Sequence, residues 1–143
     1  MDITEFLTAC VKDDERLALG SYPGPWVTDL DDALDENVTN ESGQIVAWVR
    51  ARPFTDATRS HIARHDPARV LREVAAKRKL IELHAPAVIH GEKGGADWYN
   101  RMTICRTCTP SQQFPETAWP CDTVKLLASV YADRPGYKEE WKL

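Results

Sequence analysis

The sequence contains no run approaching the roughly 18 consecutive apolar residues that a membrane-spanning helix needs, so no membrane association through such a helix is expected. No secretory leader is expected either. Met1-Asp2-Ile3-Thr4-Glu5-Phe6-Leu7 has acids where a leader is basic, and no apolar segment follows, which points to the cytoplasm. Positive charge is not in excess: 18 Lys and Arg stand against 22 Asp and Glu, a formal net charge of −4, and this disfavours a protein that coats nucleic acid through a broadly basic surface. Glycine is sparse, and there is no Gly-rich phosphate loop, no His-Glu-x-x-His and no nucleophile elbow. The single Pro-Cys, at Pro120-Cys121, lacks the second cysteine of the cytidine-deaminase signature. These absences leave no recognised enzyme class, and the expectation leans towards a protein that is not an enzyme.

What is present suffices for folding. The chain has 143 residues, 43% hydrophobic and 28% charged, with five Trp, the composition of a globular protein with one core. A single domain over 1–143 is expected, with a helix/sheet/helix body at 2–84 and an integral C-terminal segment at 85–143. The fold class read from the pattern is α+β, with a small antiparallel sheet, three to four helices, and a C-terminal segment like a zinc knuckle or treble clef.

Ile3, Phe6, Leu7, Cys10, Val11 and Leu17 recur at spacings of three and four, which predicts an amphipathic helix over 2–19 that Gly20 and Ser21 end. Cys10 falls on its apolar face as a core residue. The turn Tyr22-Pro23-Gly24-Pro25-Trp26 leads to an extended piece at Trp26 and Val27. The acidic run 29–36 reads as a solvated surface. Gln44 to Val49 is the clearest strand, preceded by turn residues 40–43, and with Trp26 it makes the small sheet. A short helix over 56–64 is followed by Asp66-Pro67, a cap and a first helical residue. The helix from Pro67 to His84 carries an apolar stripe of Val70, Leu71, Val74, Ala75 and Ile81. Segments 87–90 and 98–104 read as two strands joined by the turn at 91–95. The last helix runs from about Cys121 to Tyr131 with Val124, Leu127, Ala128 and Tyr131 inward, and the tail aromatics Tyr137 and Trp141 pack back on the body.

The cysteines carry the strongest chemical signal. Cys105-Arg106-Thr107-Cys108 is a Cys-x-x-Cys pair, and twelve residues separate Cys108 from Cys121 at the expected start of a helix. Two thiolates on a tight turn can take adjacent corners of a tetrahedron, and a third at a helix N-terminus is favoured by the helix dipole, so this spacing suits structural Zn2+. Such a site takes four ligands, and a histidine is the natural fourth. His84, at the end of the long helix, is the first choice; His90, His61 and His65 are the alternatives. A thioredoxin-like redox pair is disfavoured because Thr109-Pro110 breaks any helix directly after the pair. Three reduced cysteines packed without metal are the plain alternative.

Two other groups invite a functional reading. His61, His65 and Asp66 could in principle hold a catalytic metal, although two histidines lining a short helix and an aspartate capping the next are the simpler account of them. Arg69, Arg72, Lys77, Arg78 and Lys79 form a basic stripe that could contact phosphates, or could be an ordinary solvated helix face.

Pro23-Gly24-Pro25-Trp26, the run from His61 to Arg78, Pro120 to Leu127 and Tyr131 to Trp141 together resemble a family of small uncharacterised proteins from actinobacteria and their phages. The resemblance supplies no catalytic residues. It implies a histidine that ends the long helix, followed by a cysteine pair before a Pro-Cys helix, which matches His84, Cys105, Cys108 and Cys121.

The function expected is that of a small zinc-stabilised accessory or interaction protein of bacterial or phage origin, working through protein contacts. A nucleic-acid-binding regulator using the basic helix 67–84 is the first alternative. A metal-dependent enzyme around His61, His65 and Asp66 is the second.

Overall fold

The computed structural model describes residues 1–28, 36–50, 55–88, 102–109 and 117–143. The acidic run up to Asp35, His90 and the turn at 91–95 lie outside the described residues, as do the parts of the two C-terminal strand segments at 89–90 and 98–101. Among the described residues the elements run α1 (Ile3–Leu19), β1 (Trp26–Val27), β2 (Asn37–Asn40), β3 (Ile45–Trp48), α2 (Thr55–Arg64), α3 (Pro67–Leu83), β4 (Pro86–Val88), β5 (Thr103–Cys105) and α4 (Asp122–Ser129), then a single 3-10 turn at Glu139–Trp141. This is the α+β arrangement of four helices and small antiparallel sheets that the sequence pattern predicts. No helix among the described residues is long and apolar enough to cross a membrane.

The chain forms two compact units, one of Met1–Val11 with Ala76–Leu143 and the other of Lys12–Ala75. The boundaries fall inside α1 and α3.

In the first unit, α1 starts with a reciprocal cap. The Glu5 N–H donates to Asp2 Oδ1 at 2.9 Å and the Asp2 N–H to Glu5 Oε2 at 2.9 Å, which satisfies two otherwise orphaned donors. Ile3, Phe6, Leu7, Cys10 and Val11 are buried, as their spacing requires. So are Val124, Ala128 and Tyr131, one stripe of α4 and its C-terminal extension. The tail returns to this core: the ring of Phe6 lies 5.2 Å from that of Trp141 and 6.1 Å from that of Tyr137. Gly136 makes the return possible with a φ of 97°, a conformation that L side chains rarely adopt. Lys77 Nζ donates to the Tyr131 hydroxyl at 2.8 Å and sits 4.8 Å from its ring centroid, holding the end of α3 to the chain after α4.

In the second unit, β1, β2 and β3 form an antiparallel sheet in that order. The strand at Trp26 and the strand at Ile45 share a sheet as predicted, but they are separated by β2, which the pattern does not reveal. Trp26 pairs with Asn40 and Val27 with Thr39. Asn40 explains the hidden strand. Its Oδ1 accepts from the N–H groups of Ser42 and Gln44 at 3.1 and 2.9 Å, so a polar side chain closes the hairpin. Helix α2 lies against β1 and β2, and Val38 is fully buried.

Asp66 caps α3, its Oδ1 accepting from the Arg69 N–H at 2.7 Å with Pro67 as the first helical residue. Gly24 passes so close that a Cβ there would lie 2.8 Å from Asp66 Oδ2. Two predicted core positions turn out exposed. Leu17 is 50% exposed, with Ala18 buried in its place, and Ala75 is exposed on α3 beside buried Val74. In both cases the inward stripe is narrower than the count of apolar residues suggests.

Candidate metal centre

The register of a two-stranded ribbon builds the site. β4 and β5 pair antiparallel with Pro86 opposite Cys105, so the residues just before β4 lie beside the residues just after β5. His84 is the residue after the last of α3, its N–H donating to the Leu80 carbonyl at 3.0 Å. The Arg106 N–H donates to the Ala85 carbonyl at 3.1 Å, which extends the ribbon past Cys105. The chain then reverses: the Thr109 N–H donates to the Cys105 carbonyl at 3.1 Å, and Cys105 and Cys108 flank this turn. The Thr107 hydroxyl donates to the Leu83 carbonyl, tying the turn to the end of α3.

A third short piece delivers Cys121. The Cys105 N–H donates to the Thr117 carbonyl at 2.9 Å, the Trp119 N–H to the Thr103 carbonyl at 3.0 Å, and Ile104 bridges Ala118. Cys121 follows as the N-cap of α4, with extended backbone and with its carbonyl accepting from the Lys125 N–H at 3.1 Å.

These elements bring His84, Cys105, Cys108 and Cys121 together, with all four potential ligand atoms within 4.8 Å of one another. His84 Nδ1 lies 3.4 Å from Cys105 Sγ, 3.5 Å from Cys108 Sγ and 3.6 Å from Cys121 Sγ. A single ring nitrogen has one proton or one lone pair in the plane of the ring, so hydrogen bonding accounts for one such contact and not for three. A tetrahedral ion accounts for all three. Metal–nitrogen and metal–sulfur distances of about 2.0 and about 2.3 Å give nitrogen–sulfur edges of about 3.5 Å. The donor set therefore fits one ion, and all the cysteines are free thiols.

Electrostatics favour a cation in the same place. Burial pushes the Cys105 thiol up, but the Cys108 N–H, the His84 ring, Cys121 and the Thr107 N–H outweigh it and bring Cys105 from 9.0 down to about 7. Cys108 goes the other way, up to about 12, through desolvation together with hydrogen bonding to and repulsion from Cys105 and Cys121. Cys108 is an exposed residue, so the neighbouring sulfurs are the cause specific to this cluster. Without a cation one thiolate is tolerated and a second is resisted.

Among the described residues this is the one group of three or more His, Cys, Asp or Glu side chains placed to share an ion. His61 and His65 are not in it. Their rings meet at a tilt of 41° with centroids 4.3 Å apart at the end of α2, and His65 Nδ1 bonds the His61 carbonyl at 2.8 Å. Asp66 is occupied as the cap of α3. The basic stripe is partly committed as well: Arg69 pairs with Glu73 and Lys79 with Glu82, each at 2.8 Å, and Lys77 is engaged with Tyr131. The threonines that brace the cluster, Thr107 and Thr109, carry no sequence signal, because their role depends on which carbonyl or N–H the fold places opposite them.

A small α+β fold that gathers one histidine and three cysteines at the junction of a ribbon, a reverse turn and a helix N-terminus defines a class of protein with a candidate single-ion site. The model of a family of unknown function, DUF6221, matches residues 1–143, and the chain belongs to that family. No curated protein and no solved structure matches it.

Proposed function

We propose that this is a small accessory protein that holds one structural Zn2+ on His84 Nδ1, Cys105, Cys108 and Cys121, and that works through contacts with other proteins rather than through catalysis. The observation that carries the metal is the near-equal approach of one ring nitrogen to three sulfurs, at 3.4, 3.5 and 3.6 Å. Three soft thiolates and an imidazole suit zinc among the single ions available to a cell. A two-iron cluster divides its ligands between two irons, which fits poorly with four donors in one small tetrahedron. Four protein ligands also fill the coordination shell, whereas catalytic zinc keeps a position open for water. The role that follows is on stability, because metal-binding free energy becomes folding free energy when the unfolded chain has no formed site.

Support for protein contacts comes from the sheet of the second unit. Val27, Ile45 and Trp48 are 46%, 43% and 62% exposed, and the register through Thr39 and Asn37 sets all three on one face. Apolar surface of this kind is what a protein partner covers. The net charge of −4 disfavours a phosphate backbone as the alternative occupant. A reducing cytoplasm, bacterial or in a phage-infected host, belongs to the same proposal, since it keeps the three thiols available to the metal.

The test is metal content. Protein purified from zinc-supplied cells is expected to carry one zinc per chain, and a strong chelator is expected to lower its melting temperature by about 10 °C or more. Protein that is metal-free as purified, with a melting temperature that neither chelator nor added zinc moves, would overturn the proposal.

A further inference from the structure

We propose that Cys108 is a modification site for peroxides, and that its oxidation closes a Cys105–Cys108 disulfide and ejects the ion; this rests on the single-ion reading of the cluster. The three sulfur ligands differ in access. Cys105 and Cys121 are 0% and 2% exposed, whereas Cys108 is exposed. A small oxidant that approaches the cluster from solvent therefore meets Cys108 first, and it meets a metal-bound thiolate, the nucleophilic form of the side chain.

The same geometry selects the second cysteine. Cys105 and Cys108 flank one reverse turn, closed by the Thr109 N–H on the Cys105 carbonyl at 3.1 Å, and their sulfurs lie within 4.8 Å of each other. The turn can close further by moving its own few residues. Cys121 is held as the N-cap of α4, with its carbonyl in the first hydrogen bond of the helix, so a bridge to it requires a helix end to shift.

In the first step the Cys108 sulfur attacks one oxygen of hydrogen peroxide. The O–O bond breaks, Cys108 becomes a sulfenic acid, and hydroxide leaves to be protonated to water. The Cys105 thiolate then attacks the Cys108 sulfur, forming the S–S bond and breaking the S–O bond, and the second hydroxide leaves as water after taking a proton. Two thiolates, one peroxide and two protons give one disulfide and two waters. The disulfide no longer offers two anionic ligands, so the ion retains only His84 and Cys121 and dissociates. A dithiol reductant with added zinc reverses the change. The consequence is a stabilising site that also reports oxidant, with one thiol as its point of entry.

The experiment uses the full chain loaded with zinc. Metal content is measured first, then hydrogen peroxide is added while zinc release is followed with a chromogenic chelator and disulfides are mapped by peptide mass. One zinc released per Cys105–Cys108 bridge, with recovery on reduction, is the expected result. Cys108→His keeps four ligands while removing the exposed thiol, and it is expected to hold zinc and to release it at least tenfold more slowly. Protein that holds zinc but retains it in peroxide, that releases it without a Cys105–Cys108 bridge, or whose C108H variant holds zinc and releases it at the original rate would overturn the inference. Protein that carries no zinc before peroxide is added would overturn the single-ion reading on which the inference rests, and the inference with it.

Discussion

Pro86 lies directly opposite Cys105 in the β4–β5 ribbon, and that pairing sets His84 beside the first cysteine of the turn. The fourth member of the cluster is thus placed by strand register and not by closeness in sequence. Substitution of His84 is the sharpest check. His84→Ala is expected to lose stoichiometric zinc, whereas His84→Cys, which restores a fourth soft ligand, is expected to keep it. His61→Ala and His65→Ala should leave the metal in place. Metal analysis of the four purified variants reads all of this, and retention of a full equivalent by H84A would remove His84 from the site.

The cysteine cluster and most of the helices are legible in the sequence because their signals are local. The spacing of Ile3, Phe6, Leu7, Cys10 and Val11 determines which face of α1 is buried, and Asp66-Pro67 announces the start of α3 through the chemistry of two adjacent residues. Cys105 and Cys108 are readable for the same reason. What is not legible depends on partners distant in the chain. Asn37-Val38-Thr39-Asn40 is a poor strand by composition, and it becomes one because Asn40 closes a hairpin and Trp26 pairs across it. Leu17 looks like core until the inward face of α1 has passed to Ala18. The bracing of the site by Thr107 against the Leu83 carbonyl belongs to the same kind, a contact across 24 residues that no periodicity records.

Metal affinity should rise with pH. With no metal, the Cys108 thiol is pushed up to about 12 by desolvation and by the sulfurs of Cys105 and Cys121, so at neutral pH it is protonated and the ion must displace that proton. Cys105, brought down to about 7, adds a further displaced proton as the pH falls below that value. Each displaced proton weakens zinc binding by about tenfold per unit fall in pH, so the slope is expected to be at least about one decade per unit above neutrality and to steepen by about one further decade per unit below it. Competition against a chelator of known affinity at pH 6, 7 and 8 measures this. An affinity unchanged over that range would mean that the thiols are not the ligands.

The cap of α3 offers a prediction independent of metal. Asp66→Ala removes the acceptor for the Arg69 N–H, now bonded at 2.7 Å, and is expected to cost about 1 kcal/mol, with Asp66→Asn costing less because it still accepts. Gly24→Ala should act through the same residue, since its Cβ would lie 2.8 Å from Asp66 Oδ2 and would push the carboxylate off the helix. The two changes together should therefore cost less than their sum. Urea unfolding of both single variants and the double variant checks the coupling. Simple additivity would show that Gly24 is required for some other reason.

The last prediction separates the two kinds of tryptophan in the chain. Trp141 is 4% exposed, packed 5.2 Å from the ring of Phe6 and 5.8 Å from that of Tyr137, with Lys138 Nζ 5.4 Å from its own ring centroid. Truncation to Ala removes a large buried surface and leaves a cavity, at a cost of about 3–5 kcal/mol. The loss should also be local in its signature. Amide exchange is expected to speed up across Ile3 to Val11, because Phe6 is the residue through which the tail holds the start of α1. Trp48 is 62% exposed on the sheet, and Trp48→Ala is expected to change stability by less than about 0.5 kcal/mol. If the exposed face is where a partner binds, W48A should weaken that complex while leaving the fold intact, and W141A should damage the fold first. Chemical denaturation and hydrogen exchange on the two variants distinguish the roles, and equal losses of stability would contradict the assignment of Trp141 to the core and Trp48 to the surface.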